Sequence, residues 1–365
     1  MDVRKKDAMK ILAIETSCDE TAVCVLEASG GPPAGGFKII SNLVTSQVKV
    51  HAPWGGVVPN LAKREHQKNL PILLKKALKQ AKLSFKKPKI DFIAVTEGPG
   101  LEPALWVGIN FAEDLTKKWK KPLLGINHLE GHIFSVLLPE PKKIRFPVLA
   151  LVVSGGHTEL VLMKKWLKYR ILGQTLDDAA GEAFDKVAKM LGLGYPGGPV
   201  ISQAAAKWKS EVRSANWRTK SEIKFPRPMI NSKDYNFSFS GLKTAVLYKL
   251  KELGNIDEAI KSEVAHEFQQ AVIDVLILKT MRAAKEYRVK TIILGGGVAA
   301  NKELRLQLAK STVNLKNPPE LLIPEMKFTG DNAAMIALAA YFRWLKQKRS
   351  VFPRTLKANG NLKLA

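Results

Sequence analysis

One pattern occurs twice in this sequence: an apolar run, a short polar turn and a second apolar run. The first copy covers residues 11–26 and the second covers residues 148–163. The copies align without a gap, so that Ser17 falls on Ser154 and Thr21 falls on Thr158. Apolar runs joined by a tight turn are typical of β-hairpins, and a repeated hairpin predicts an internal duplication.

The duplication extends beyond the hairpins. The segment that begins at Thr291 is an apolar run with glycines at 295–297 and then a helical pattern, and it resembles the segment that begins at Asp91. Each half therefore reads strand, turn, strand, strand, helix, strand, helix. The sequence predicts an α/β fold with two similar lobes around one central cleft, which the tight turns of both lobes face.

The boundaries follow from the same patterns. We predict a first lobe at 9–146 and a second lobe at 147–330, with a helical insertion at about 174–250. A C-terminal helix is predicted at 331–349, and the polar tail at 350–365 is expected to be extended.

The composition limits the classes of function. The 365 residues include 46 % hydrophobic residues, but no apolar run is long enough to cross a bilayer. The charged start lacks a signal-peptide pattern, and the two cysteines match no disulfide framework, so a cytoplasmic protein without a membrane partner is expected. Lysine and arginine number 58 against 33 acidic residues, which favours RNA or DNA as a partner. The alternative is a general basic bias of the source proteome.

The pair His128 and His132 follows an apolar run and lies at the start of a predicted helix. Positions four apart share a helix face, so both imidazoles can point at one ion, although such a pair is more often structural. Asp331 stands at another predicted helix start, where it is either an N-cap or a third ligand. Two imidazoles and a carboxylate with open positions suit Zn²⁺ or Fe²⁺.

A zinc peptidase is one interpretation of this pair. In that mechanism the general base is a glutamate directly after the first histidine. Here Glu130 comes two positions after His128, about 200° around a helix, so it points away from a shared ion. The sequence therefore gives little support to hydrolysis.

Three glycine turns favour a nucleotide. They are Gly295–Gly297, Ser154–Gly156 and Gly197–Gly198. Glycines let backbone N–H groups approach phosphate oxygens, most effectively at a helix N-terminus. Three purely structural turns are the alternative, and the spacing fits neither a Walker loop nor a Rossmann fingerprint. On pattern alone, Asp185 is expected to form a salt bridge or to cap a helix.

Ten motifs occur in one order over about residues 9–345: IETSCDET (14–21), GGVVP (55–59), GPGL (98–101), HLEGH (128–132), SGGHT (154–158), DDAAGEAFD (177–185), YPGGP (195–199), FSFSGLK (237–243), GGVAAN (296–301) and GDNAA (330–334). Together they resemble those of the bacterial tRNA N6-adenosine threonylcarbamoyltransferase family, whose members were once assigned as glycoprotein endopeptidases.

The resemblance implies a fold, an activity and a set of site residues. The fold would be two duplicated actin-like, RNase H-like lobes around a nucleotide cleft. The activity would be transfer of a threonylcarbamoyl group from threonylcarbamoyl-AMP to N6 of the adenosine next to the anticodon, in tRNAs that read codons beginning with A. One divalent ion, Fe²⁺ or Zn²⁺, would be bound by His128, His132 and Asp331. The adenylate would be bound by Val152, Val153, Ser154, Gly155, Gly156, Asp185, Gly198 and Asn301.

The resemblance also implies partners. They are tRNA, a small actin-like paralogue subunit, a P-loop ATPase and a separate enzyme that makes the adenylate. Two other functions stay open at this point, a metallopeptidase that acts on glycoproteins and a non-catalytic nucleotide-binding scaffold.

Overall fold

The first half of the chain alternates strands and helices, as the periodicity predicts. The computed structural model describes residues 8–31, 36–214, 223–347 and 355–364. Its elements up to residue 134 are β1 (Met9–Glu15), β2 (Glu20–Ser29), β3 (Gly36–Ser46), α1 (Val48–His51), α2 (Pro59–Gln80), β4 (Phe92–Gly98), α3 (Glu102–Trp119), β5 (Leu123–Asn127) and α4 (His128–Phe134).

The second half repeats the strand pattern with more helices. Its elements are β6 (Val148–Val153), β7 (Thr158–Lys165), β8 (Lys168–Gln174), α5 (Ala180–Met190), α6 (Gly197–Ser214), α7 (Ser240–Leu253), α8 (Glu258–Glu286), β9 (Thr291–Gly295), α9 (Lys302–Val313), β10 (Glu320–Leu322) and α10 (Ala333–Gln347).

Packing divides the chain into two units. The first unit comprises residues 1–144, 166–168 and 324–365, and the second comprises 145–165 and 169–323. The predicted second lobe ran to residue 330 and left the C-terminal helix separate. In the structure this helix, α10, belongs to the first unit, because its buried face packs on β1 and β2.

Each unit contains one five-stranded sheet, and the two sheets have the same topology. The strand order is β3-β2-β1-β4-β5 in one and β8-β7-β6-β9-β10 in the other. In both, the first strand pairs antiparallel with the second and parallel with the fourth. The predicted duplication of an α/β lobe is therefore confirmed.

The registers of the two hairpins coincide under the predicted alignment. Glu15 pairs with Ala22 in the first, and Val152 pairs with Glu159 at the equivalent position of the second. The predicted match of the segment at Thr291 with the segment at Asp91 is also confirmed. Ile11 pairs with Phe92 and the equivalent Val148 pairs with Thr291, so that Phe92 is the counterpart of Thr291.

The helices α5, α6 and α7 form the insertion of the second unit, since they have no counterpart in the first. The helix predicted to start at Asp177 begins only at Ala180. The Asp177 carboxylate instead accepts hydrogen bonds from Ser238, Phe239 and Ser240 at the start of α7. The polar helix predicted at 208–217 is the end of α6 up to Ser214, and its remainder lies outside the described residues.

The tail packs on the first unit although its sequence is polar. Leu356 is buried in the core of this unit, and the Asn359 N–H donates to the carbonyl of Glu97 over 2.9 Å. The Asn127 side-chain amide donates to the carbonyl of Lys363 over 3.2 Å. Residues 355–364 form neither helix nor strand and turn at Gly360 and Asn361, where the Leu362 N–H donates to the Asn359 carbonyl over 3.2 Å, so the predicted extended tail is interrupted; residues 350–354 lie outside the described residues.

No helix within the described ranges is both long and apolar enough to cross a membrane.

Candidate functional site

The first unit brings both histidines of the pair to the carboxyl end of its sheet. Strand β5 ends at Asn127, whose side-chain oxygen accepts the N–H of Leu129 over 2.9 Å and so caps α4. His128 and His132 lie one turn apart on α4, with their ring centroids separated by 4.6 Å. Both are almost completely buried. The predicted common face of the two imidazoles is therefore present.

Asp331 completes a cluster with these histidines. Its Oδ1 lies 3.4 Å from Nε2 of His128 and 3.2 Å from Nε2 of His132. Asn332, and not Asp331, is the N-cap of α10. This helix begins at Ala333, and the Asn332 side chain accepts the N–H of Met335 over 3.1 Å.

The three side chains fit a divalent ion. Their candidate ligand atoms all lie within 4.8 Å of one another. Bonds of 2.0–2.1 Å in a tetrahedral arrangement place neighbouring ligand atoms about 3.3 Å apart, close to the two distances to Asp331 Oδ1. Neither buried ring nitrogen of His132 makes a hydrogen bond of good geometry to a described residue. Three protein ligands also leave a coordination position for substrate, as in catalytic zinc sites.

Glu15 orients His128 from the other side. The Nδ1–H of His128 donates to Glu15 Oε2 over 3.1 Å, with Ser17 Oγ at 3.2 Å. The same carboxylate accepts the Thr96 hydroxyl over 2.6 Å and the backbone N–H of Ser17 over 2.5 Å. This network commits Nδ1 to Glu15 and leaves Nε2 facing the cluster, as in the carboxylate–histidine–metal arrangement common to metal sites, so an ion would bind at Nε2 by displacing its proton.

The electrostatics of the cluster agree with cation binding. Burial opposes a charge on His128, yet Asp331 and Glu15 raise its pKa to about 9, so the site already attracts positive charge. Burial lowers the pKa of His132, which keeps this imidazole neutral and able to coordinate. Burial alone would raise the pKa of Glu15, but His128 and then Thr96 hold it below its ordinary value.

Glu130 takes no part in the cluster. It is completely buried and its Oε2 accepts a hydrogen bond from Nε of Arg343 on α10. The prediction that Glu130 points away from the histidine face is confirmed. Its charge is committed to an ion pair, which makes it a poor general base for hydrolysis.

We expect Glu15→Gln to weaken binding of Zn²⁺ by about 10- to 100-fold, since loss of an outer-shell carboxylate typically has this effect. The charged acceptor for Nδ1–H of His128 is removed while the volume of the side chain is kept. Competition with a chromogenic chelator measures the affinity. Thr96→Val is the control, because it removes one donor to Glu15 but keeps the Glu15–His128 contact, and its loss of affinity should be smaller. Equal affinities of Glu15→Gln and the wild type would contradict this role.

The second unit builds a separate group of residues around the turn after β6. The Ser154 N–H donates to the carbonyl of His157 over 2.8 Å, and the His157 N–H donates to Ser154 Oγ over 3.1 Å. This turn is tied to the start of α5, where the Gly181 N–H donates to the Ser154 carbonyl over 3.1 Å. Gly155 and Gly156 have open space where a Cβ would stand, so a ligand can approach their backbone closely.

Gly296 supports this turn from β9. It has a φ of +90°, and a Cβ placed on it would lie only 2.2 Å from the carbonyl oxygen of Val153. The backbones of Gly296 and Val153 are therefore too close to leave room for any residue other than glycine at position 296. One residue earlier in each strand, Val152 of β6 pairs with Gly295 of β9. Because β6 also pairs with β7, its end is held between two neighbouring strands.

Asp185 connects α5 to α6. Its Oδ1 accepts the N–H of Gly197 over 2.6 Å at the first residue of α6, so the expected capping role is confirmed. Gly198 follows with open space where a Cβ would stand. The start of this 18-residue helix, with two glycines, is a site where backbone N–H groups and the helix dipole favour a phosphate.

Asn301 joins the same group through α6. Its Oδ1 caps α9 by accepting the Leu304 N–H over 2.9 Å, and its amide donates to Gln269 Oε1 over 2.7 Å. The amide also lies 3.4 Å from Ser202 Oγ, one helical turn after Gly198. The residues predicted to bind the adenylate thus form one connected set in the second unit.

Three residues that shape the two groups were not predicted from the sequence: Glu15, Asn127 and Gly181. Asn127 precedes a helix and carried the ordinary signal of an N-cap residue. Glu15 gave only a weak signal, an acidic residue directly after a buried apolar strand, because its partner His128 lies far along the chain.

A solved structure with the same fold is that of full-length HypF in a phosphate- and nucleotide-bound form. It superimposes with a TM-score of 0.60 at 12 % sequence identity, and the match covers 96 % of this chain but 57 % of HypF. The duplicated lobes and this likeness define an α/β fold of the actin-like type.

The sequence profile of TsaD, tRNA N6-adenosine threonylcarbamoyltransferase, matches residues 38–338. A protein of that name from Thermosipho melanesiensis is 51 % identical over 333 residues, which cover 91 % of this chain and 94 % of the relative. Another, from Bacillus subtilis, is 45 % identical over 345 residues, which cover 94 % and 93 % respectively. The chain belongs to the tRNA N6-adenosine threonylcarbamoyltransferase family.

Proposed function

We propose that this protein transfers the threonylcarbamoyl group of threonylcarbamoyl-AMP to N6 of the adenosine next to the anticodon, in tRNAs that read codons beginning with A. The products are threonylcarbamoyladenosine in the tRNA and AMP. Membership of the family supports the reaction. The observation that carries the site assignment is the cluster of His128, His132 and Asp331, whose ligand atoms lie within 4.8 Å of one another.

The chemistry follows from the donor, a mixed carbamic–phosphoric anhydride. The exocyclic amine of adenosine attacks the carbamoyl carbon, a C–N bond forms, the bond from carbon to the phosphate oxygen breaks, and the amine loses a proton. Because an aromatic amine is a weak nucleophile, the reaction needs a polarised carbonyl and a stabilised leaving phosphate.

The second unit is suited to the leaving AMP. Backbone N–H groups at the Ser154–Gly156 turn and at the start of α6 can hold the phosphate and stabilise the charge that develops on it. Asp185 keeps the first turn of α6 in place through Gly197, and Asn301 keeps α9 beside α6 through Ser202. We assign no residue as the general base.

The first unit would hold one divalent ion, Fe²⁺ or Zn²⁺, through His128, His132 and Asp331. When bound, such an ion supplies a Lewis acid that orients and polarises the threonylcarbamoyl group. Glu15 keeps His128 in the tautomer that presents Nε2, and Asn127 fixes the start of α4.

The two competing functions have less support. A metallopeptidase requires a base beside the ion, but Glu130 is bound to Arg343. A non-catalytic nucleotide-binding scaffold would use the actin-like fold but gives no reason for two buried histidines to face Asp331.

The proposal includes tRNA and threonylcarbamoyl-AMP as substrates and the cytoplasm as the location. A small actin-like paralogue subunit and a P-loop ATPase are proposed as partner proteins, with a separate enzyme that makes the adenylate. These partners rest on the family resemblance.

Complementation tests the reaction. The chain is expressed in cells depleted of their own threonylcarbamoyltransferase, and the nucleosides of digested tRNA are quantified by mass spectrometry. We expect threonylcarbamoyladenosine to return, and a protein with both His128→Ala and His132→Ala is the matched control. Absence of the nucleoside despite abundant, folded protein and co-expressed partners would sink the proposal.

A further inference from the structure

We propose that a surface at the ends of α2 and α3 binds the phosphate backbone of the tRNA substrate, away from the adenosine that is modified. This surface, the lysine face, consists of six exposed lysines: Lys82, Lys86, Lys87, Lys117, Lys118 and Lys120. The identity of the polyanion as tRNA rests on the proposed function, whereas the existence of the face does not.

The fold joins two lysine runs that are separate in the sequence. The loop after α2 packs on the end of α3, where Phe85 and Trp119 make an edge-to-face contact with centroids 6.3 Å apart. The Trp119 indole N–H donates to the Phe85 carbonyl over 3.1 Å. Lys118 Nζ lies 4.4 Å from the centroid of the Phe85 ring. Both runs therefore contribute to one surface.

The lysine face carries little compensating negative charge. Lys117 lies 4.0 Å from the carboxylate of Asp114, and both side chains are well exposed. No ion pair joins any of the other five lysines to a carboxylate within the described ranges. Since exposed ion pairs contribute little free energy, even the pair with Asp114 hardly offsets the repulsion among six cations. A polyanion would neutralise it.

Helix stabilisation accounts for only part of the face. Cations in the last turn of a helix interact favourably with its dipole, which suits Lys117 and Lys118 on α3. Lys82, Lys86 and Lys87 lie beyond the end of α2, and the dipole effect falls off within the last turn. These three lysines are better explained by an external anion.

The position of the face within the first unit decides which part of the RNA it meets. Strands β4 and β5 begin just after the two lysine runs and run parallel towards Asn127, directly before His128. A five-residue strand spans roughly 17 Å, so the face lies at the end of the sheet where β4 and β5 begin, and the histidine cluster lies at the opposite end. The adenosine at the cluster cannot also contact the face, which therefore meets phosphates elsewhere in the same tRNA.

Salt dependence of binding tests the face directly. The variant carries Lys86→Gln, Lys87→Gln, Lys117→Gln and Lys118→Gln. Its matched control carries four Lys→Gln changes at exposed lysines of the second unit: Lys251, Lys285, Lys310 and Lys316. Binding of full-length tRNA transcript is measured between 50 and 200 mM KCl. The logarithm of the association constant falls linearly with the logarithm of the salt concentration, and each lost phosphate contact makes this slope shallower by roughly 0.7–0.9. We expect the variant to lose about 3 units of slope and at least about tenfold in affinity at 100 mM KCl. A slope equal to that of the wild type, or an equal loss in the control, would overturn the inference.

A truncated substrate separates this inference from the proposed function. In the reconstituted modification reaction, we expect the variant to lose at least about tenfold in kcat/KM on full-length tRNA and to match the wild type on an isolated anticodon stem-loop. If the wild type modifies neither RNA, the proposed function fails. If the variant modifies both RNAs as the wild type does, the inference that the lysine face binds tRNA is overturned. Loss of binding to phosphatidylserine vesicles with unchanged binding to tRNA would also overturn the inference, in favour of a membrane surface.

Discussion

The His132→Ala protein is expected to retain no stoichiometric divalent ion and to transfer threonylcarbamoyl groups at less than about one-hundredth of the wild-type rate. Outer-shell changes alone typically cost about 10- to 100-fold, and His132 would be a direct ligand. The remaining pair, His128 and Asp331, offers too few ligands for a stable site. Elemental analysis of the purified protein and the rate of AMP release in the presence of tRNA are the two measurements.

The effect of this substitution on folding has its own control. His132 is completely buried, so its truncation also lowers the free energy of unfolding. His51→Ala truncates another fully buried histidine of the same unit, whose ring contacts Gln47 and the Val58 N–H instead of the cluster. We expect comparable loss of stability from both variants but loss of the ion from His132→Ala alone. Adenylate binding that is unaltered in His132→Ala, with no transfer by either the wild type or the variant, would favour the non-catalytic nucleotide-binding scaffold.

Gly296→Ala is expected to destabilise the second unit by about 3 kcal/mol or more, as the sum of backbone strain and overpacking. The new Cβ would lie 2.2 Å from the carbonyl oxygen of Val153 and 2.7 Å from its carbonyl carbon, so backbone has to move. Because Val153 leads into the Ser154–Gly156 turn, we also expect at least about tenfold weaker binding of AMP. Denaturant unfolding and calorimetric titration measure the two effects.

The neighbouring glycine provides the matched control for stability. A Cβ on Gly297 meets no atom within 4 Å, and this residue has no left-handed φ. Gly297→Ala is therefore expected to change the free energy of unfolding by less than about 1 kcal/mol. Equal stabilities of the two alanine variants would show that the close approach of Gly296 to Val153 is unimportant.

Local patterns predicted most of the fold. The gapless match of the two hairpins was enough to place Ser17 on Ser154, and the observed registers agree because the two hairpins have turns of equal length, which fix the register. The two histidines were predictable for a similar reason, since their spacing of four residues places them on one helix face. The actin-like class and the activity came from the ordered motifs, not from periodicity.

Contacts between distant segments were beyond such patterns. Asp331 could have been either a cap or a ligand, and the choice depended on Asn332, which caps α10 instead. Glu15 and His128 are 113 residues apart, so no local spacing could reveal their hydrogen bond. The lysines at 82–87 and at 117–120 are separate in the sequence, and only the contact between Phe85 and Trp119 brings them together.

The most direct test of metal-assisted transfer is a reconstituted reaction with threonylcarbamoyl-AMP labelled in its threonine and tRNA that lacks the modification. Label in the threonylcarbamoyladenosine of digested tRNA is compared with the AMP released, for protein as purified, after removal of the ion and after its restoration. We predict equal amounts of label and AMP, loss of both without the ion, and recovery with Zn²⁺ or Fe²⁺. Undiminished transfer by the ion-free protein, or AMP release with the label left in free threonine, would contradict the account.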